Sequence, residues 1–361
     1  MRVVKLMMAV LVVMGLVYAT IWAWRATTER ARSYAEELIM MNSEQTGMET
    51  SRATSVFDLA GAKQVTLVNE FGSVEVSAGG PKVEVQQFVY AGQDDRAREL
   101  AKEFSAVSAP DGKGGLKISV KGGEQGRGAS RVWIGIGKTP ARPRARVKLV
   151  VTVPPEVGLQ VEVKSGEVKV VGMGAAVAVS SGSGEISLED IRGAVTAETG
   201  SGSIGGKNLL GGVTAETGSG SIDLAVVRGH ASAKTGSGGL ALSDVDGDEI
   251  LADTGSGDIQ MSEVSAGSIK AKAASGGIEV RVHRPFTGQM RLETGSGEVT
   301  LSLPAGSDCR VDASTSSGGI DNGLPLQSVS SSRGKLTGVM GAGRGSVEVS
   351  AGSGGITLEA G

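Results

Sequence analysis

From Lys63 onward, apolar and polar residues alternate with a period of two, the pattern of strands that bury one face. Val65, Leu67, Val74 and Val76 alternate around the turn Phe71-Gly72. Residues 82–90, 116–120, 132–136 and 147–153 read as further strands, and Pro154-Pro155 ends the last. One stretch breaks the pattern. Residues 94–107 lead with acids and place Ala97, Leu100, Ala101, Phe104 and Val107 at helical spacing, which predicts a helix inside an inserted segment.

After residue 155 the alternation becomes a repeat. A Ser-Gly pair precedes an apolar residue at Ser165, Ser183, Ser201, Ser219, Ser237, Ser256, Ser275, Ser296, Ser317 and Ser353. The intervals run from 18 to 21 residues and end on one of 36. A period this regular implies a stacked array in which one repeat cannot bury its own face. Six residues before each Ser stand Val177, Val195, Val213, Ala231, Ile250, Ile269, Met290 and Val311. Four before it the column is mostly Ala, from Ala197 to Ala271, which implies a thin core. Three after it stand Ile186, Ile204, Ile222, Leu240, Ile259, Ile278, Val299 and Ile320. Each repeat is therefore two strands joined by Gly-Ser-Gly corners. The expected fold is all-β, a parallel β-helix or β-solenoid of two-strand repeats. The N-terminal segment caps one end. No cap is evident at the other, which makes the coil ending at Gly361 the expected site of self-association.

The column three before each Ser must point outward. From Glu216 it alternates in sign through Lys234, Asp253, Lys272 and Glu293, with Glu198 before them. In-register stacking about 4.8 Å apart would favour that alternation, so these residues are expected to form a structural charge ladder.

The chain opens with Arg2 and Lys5, then runs without charge from Leu6 to Trp24, long enough to span a bilayer as a helix. Val17-Tyr18-Ala19 would serve as a signal-peptide cleavage site, but the apolar run continues past it, which favours a retained anchor. Charges flank both sides, so they do not set the orientation. Residues 25–55 read as a juxtamembrane stalk and a linker, 56–154 as the N-terminal β segment, and 155–361 as the solenoid.

Composition narrows the chemistry. The 361 residues include 57 Gly, 1 Cys and 2 His, so a disulfide and a thiolate zinc site are excluded. The net charge of −3 hides a basic stretch over residues 113–148, where Arg142, Arg144, Arg146 and Lys148 share one strand face. They are candidates for an anionic surface. The acidic remainder argues against a nucleic-acid binder.

VTVP (151–154), VEVKSGEVKVVG (161–172) and SSGSGEISLEDIRGAVTAETGSGSI (180–204), with NEFGSVEVSAG (69–79) before them, resemble the bacterial "putative adhesin" family of β-strand-repeat domains. The resemblance spans residues 56–361. It implies a β-helix-like domain, often tethered at the cell envelope with its repeats outside the cytoplasm, and no established enzymatic activity.

Other constellations are weaker. His230 and His283 lack triad logic and read as turn or surface residues. Asp244, Asp246, Asp248 and Glu249 lack EF-hand spacing and read as an acidic turn. Glu198, Glu216 and Glu293 could supply paired carboxylates, but sugar-cleaving sites want aromatic platforms, and beyond Lys148 the only aromatic is Phe286. Cys309 reads as a lone buried or edge thiol. The expected protein is a membrane-tethered, extracytoplasmic, non-enzymatic binding or structural scaffold with no cofactor. Its expected partners are the membrane, and an envelope polymer, another envelope protein or a second copy. A regulatory or sensory role through a membrane partner is the alternative.

Overall fold

A computed structural model describes residues 48–70, 72–91, 99, 101–111, 114–121 and 145–361. It is built from two parallel ladders joined at corners, as the alternation requires. The front ladder stacks Gly158–Ser165, Val177–Ser183, Val195–Ser201, Val213–Ser219 and Ala231–Ser237 with every Ser in register. The back ladder stacks Val168–Val171, Ile186–Ile191, Ile204–Leu209 and Ile222–Arg228. The strands Leu240–Ser256 and Ile259–Ser275 run through a corner and belong to both. The inward columns meet between the ladders, and Val195, Ala197, Ile204, Val213, Ala215 and Ile222 are all buried.

The back ladder bends at a position with its own signature. Asp190, Asn208, Val226, Asp244 and Glu263 all take positive φ, between 51° and 58°. This kink turns Ile191, Leu209, Val227, Val245 and Val264 inward, and all five are buried.

The Thr-Gly-Ser-Gly corner has a physical rationale at each position. Thr217 points inward and donates its hydroxyl to the Gly202 carbonyl of the preceding coil at 2.9 Å. Thr199, Thr235, Thr254, Thr294 and Thr315 make the equivalent bond to Gly184, Gly220, Gly238, Gly276 and Gly354. The first Gly lets two backbones approach, and the Ser is exposed. The final Gly takes positive φ, 147° at Gly220. Thr235→Val keeps the shape and removes the donor. Its expected cost is about 1–2 kcal/mol, measured by urea denaturation. Ala273 breaks the Thr column between Thr254 and Thr294. Ala273→Thr is expected to recover about 1 kcal/mol.

Both ends of the solenoid depart from sequence order. At the first, coil 64–78 lies between coil 158–171 and an outer coil made of Leu116–Lys121 and Ala145–Val153. At the second, coil 345–360 lies between coil 289–303 and an outer coil, 309–322. The interval of 36 residues is the excursion that makes this possible.

Antiparallel strands then close the stack. Ser105–Pro110 covers Leu116–Lys121, and Val83–Ala91 covers Ala145–Val153. Lys335–Met340 covers Cys309–Ser317 and is itself paired with Gln327–Ser332. The last back-ladder strand is only Ile320–Asn322. Reversed, short or bulged edge strands discourage further parallel stacking.

Three expectations are corrected. The coil ending at Gly361 is not a bare end, because ladder bonds flank it on both sides and the Gly361 N–H donates to Leu303 O at 2.9 Å. The linker stops short of 55, because Met48–Phe57 is an edge strand antiparallel to Val83–Ala91. Its polar composition hides the strand from a reading by alternation, and none of its described side chains is fully buried.

The inserted helix does not reach 107. Glu99, Ala101 and Lys102 are helical, but Ser105 opens a strand. A hairpin overrides the helical spacing there. Asp111 closes its turn, with the Gly115 N–H donating to Oδ1 at 2.7 Å, and Val107 pairs with Ser119. The anchor and the strand over 132–136 lie outside the described residues. Among the described residues no helix is long and apolar enough to cross a membrane.

Candidate functional site

The Gly column at the front corner has no side chains, so it forms the floor of a trough that runs along the solenoid axis. Gly200, Gly218 and Gly236 lie on that floor. One rail is the outward column Ser180, Glu198, Glu216 and Lys234, and inward Thr199, Thr217 and Thr235 back it. Next to the floor along each strand stand the exposed, in-register Ser183, Ser201, Ser219 and Ser237. The open volume over four coils is about 470 Å³. The walls are hydroxyls, peptide groups and charges, and the axial repeat is one coil, about 4.8 Å.

The charged rail holds one register throughout. Glu198 pairs with Glu216, Glu216 with Lys234, Lys234 with Asp253, Asp253 with Lys272 and Lys272 with Glu293. Lys234 Nζ lies 3.4 Å from Glu216 Oε1. Glu293 turns instead to Arg291 on its own strand, and Arg291 also reaches Glu348 at 3.5 Å. That pairing raises the Arg291 guanidinium above its usual range, through the hydrogen bond to Glu293 first. These groups are about half exposed, so each contact is worth little. Lys234→Glu would complete one unbroken acidic column running from Glu198 and Glu216 to Asp253. The expected loss is about 1 kcal/mol or less at low salt, recovered as salt rises. Denaturation curves at two ionic strengths check it, and a salt-independent loss would count against the ladder.

The basic candidates separate. Arg142 and Arg144 lie outside the described residues. Arg146 and Lys148 sit on Ala145–Val153 opposite Tyr90 and Phe88. Lys148 Nζ is 2.7 Å from Glu75 Oε1, which internally neutralises part of this face.

The acidic turn is likewise used from within. Arg228 forms a two-bond fork with the Asp244 carboxylate at 2.9 and 3.0 Å and also reaches its carbonyl. This bonding raises the Arg228 guanidinium. Arg284 pairs with Asp246 at 3.0 Å. Lys270 pairs with Glu249 at 3.0 Å and holds that carboxyl below its usual range. His230 and His283 lie 3.9 and 3.1 Å from Glu249 and Glu263, so both line this corner and neither faces the trough. Among the described residues no group of three acidic, His or Cys side chains could hold a metal ion. Cys309 is fully buried, and burial, then the Asp308 charge, pushes its thiol up.

Two sets of residues escaped sequence reasoning. One is the Thr column, whose signal was present in the repeat itself. The other is Asp308 with Arg344, which clamps the interleaved end. Arg344 donates its backbone N–H to Asp308 Oδ1 at 3.0 Å and its Nε to Oδ2 at 2.6 Å. Nothing local in the sequence joins these two.

The family model described as Toastrack DUF4097 matches residues 99–359. No curated protein matches. Among solved structures, one described as a "putative lipid binding protein" from Parabacteroides distasonis ATCC 8503 is 13% identical, with a TM-score of 0.31, covering 85% of this chain and 96% of that one. A "putative adhesin" from Bacteroides fragilis NCTC 9343 is 11% identical, with a TM-score of 0.27 and coverages of 86% and 100%. A "putative cell adhesion protein" from Clostridium sporogenes ATCC 15579 is 11% identical, with a TM-score of 0.22 and coverages of 86% and 99%. Likenesses this distant carry no functional argument.

Proposed function

The chain belongs to the Toastrack DUF4097 family, of unknown function, and from that premise we propose that it is a membrane-tethered, extracytoplasmic scaffold that binds an extended envelope polymer without chemically changing it. The trough carries this reading. A chain of repeating polar units laid along the axis would meet the same Gly floor and in-register Ser row at every coil, beside a rail that changes from Ser180 through Glu198 and Glu216 to Lys234. Each contact is weak, but contacts on one polymer add as linked binding events. The tether rests on the apolar run from Leu6 to Trp24. The shortage of aromatics argues for hydrogen bonding to hydroxyls, amides or charges over stacking on sugar rings.

Co-sedimentation of the full chain with insoluble cell-wall glycan tests the binding. Ser219→Tyr places a ring at an exposed position beside the floor residue Gly218, and it is expected to reduce binding several-fold at unchanged thermal stability. Undiminished binding would sink the trough as the site. Protease treatment of intact cells and spheroplasts, with a tag after Gly361, tests the placement. Digestion only after the outer barrier is opened, with the tagged protein membrane-bound before cleavage, is the expected result. Protection until the inner membrane is lysed would overturn it.

A further inference from the structure

The interleaved coil at the second end has a property the regular coils lack. From residue 158 to 303 each coil follows its neighbour in sequence. Coil 345–360 instead enters a slot whose two walls, 289–303 and 309–322, both precede it in the chain. On one wall the Gly297 and Val299 N–H groups donate to Ser353 and Gly355 at 2.9 and 3.0 Å. On the other, Gly354 and Ile356 donate to Ser317 and Gly319 at 3.0 and 2.9 Å. Val347, Val349, Ala351, Ile356 and Leu358 fill the core between the walls. Residues 341–344 lead in as a hinge, with Gly341 and Gly343 at φ of 69° and 76°, held by the Asp308–Arg344 clamp.

We propose that residues 345–361 form an exchangeable plug, and that the slot is a docking site for the same segment of a second copy, giving a reciprocal swapped dimer. Withdrawal of the plug leaves two parallel edges with their peptide groups unpaired and an apolar gap between them. The segment that satisfies both edges in register and fills the gap is GSVEVSAGSGGITLEAG, which every copy carries. Exchange conserves every contact except those of the hinge, so the swapped and closed forms differ little in energy, and concentration decides between them. This inference is independent of the trough, because the trough residues lie on coils 177–237.

The test uses full-length chains. Gln289 and Ser346 are exposed register partners across one wall of the slot. A Gln289→Cys chain and a Ser346→Cys chain are mixed in mild urea, below the unfolding transition, then returned to buffer and oxidised. A disulfide joining residue 289 of one chain to residue 346 of the other, mapped by mass spectrometry, is the expected result. Adding Asp308→Asn to both chains should raise its yield several-fold. The double variant Gln289→Cys/Ser346→Cys, oxidised before mixing, locks its own plug and should reduce dimer formation to background. If the double variant oxidises internally, proving the register, while the mixed single variants yield no interchain 289–346 disulfide, the proposal is overturned.

Discussion

Gly220→Ala is expected to lower the stability of the solenoid by about 3 kcal/mol or more. Two costs coincide at this position. The backbone holds φ at 147°, which L side chains rarely adopt, and a Cβ built there would lie 2.1 Å from the Gly202 carbonyl oxygen. That oxygen belongs to backbone on the neighbouring coil, so it can yield only if the two coils part. Parting them strains the bond from the Gly202 N–H to Ser219 O at 2.9 Å and the bond from Thr217 to Gly202 O.

Gly218→Ala separates the two costs. Its φ is not in the left-handed range, but its Cβ would lie 2.6 Å from Gly200 O. It should therefore cost less, about 1–3 kcal/mol. Urea denaturation of both variants beside the wild type checks the order. Equal losses would mean that crowding alone explains these glycines, and a negligible loss at Gly220 would mean that neighbouring coils are not in contact there. In a stacked array each coil depends on its neighbours, so damage at coil 213–219 should appear as a lower shared transition.

The same corner shows why the solenoid was legible in the sequence. Period-two columns, Ser-Gly pairs at near-constant spacing and a small-residue column each report one local geometry, and all agree. A shift of one residue would turn Val195, Ala197 and Ile204 outward, so burial alone specifies the register. The ends were illegible for a different reason. Coil 345–360 carries the same alternation as the regular coils, so its strands were readable, but the order in which equivalent coils stack is not encoded by their shared pattern. At this end the structure adds a contact that no local pattern announces, Asp308 with Arg344 across a long excursion. The end of the helix expected over 94–107 was illegible for a similar reason. Ala97 to Phe104 has sound helical spacing, yet the Asp111–Gly115 turn claims the chain from Ser105 onward for a hairpin. The trough had a half-visible signal. Its Gly floor and the charged column beside it are in the repeat, but that they form an open trough follows only from the corner's shape.

Asp308→Asn is expected to loosen the interleaved end at neutral pH and to lose that effect in acid. Asp308 is 7% exposed and stands where three chain segments meet. Its N–H donates to Phe286 O at 2.8 Å, and its carbonyl accepts the Gly345 N–H at 2.9 Å. Its carboxylate accepts the Arg344 backbone and guanidinium bonds. The backbone bond from Arg344, then the side-chain bond, holds this carboxyl below its ordinary value of 3.8. A carboxyl with a lowered folded-state value stabilises the fold above the unfolded-state value, and that contribution is lost as pH falls through the folded-state value. The wild type should therefore exceed the Asn variant in stability at pH 7. The gap should begin to close near the ordinary value and vanish below the folded-state one. Denaturation of both proteins across that range reads the gap, and hydrogen exchange at pH 7 should place the loosening in residues 309–361. A gap that stays constant into acid would assign the clamp to neutral hydrogen bonding and remove the charge from the account.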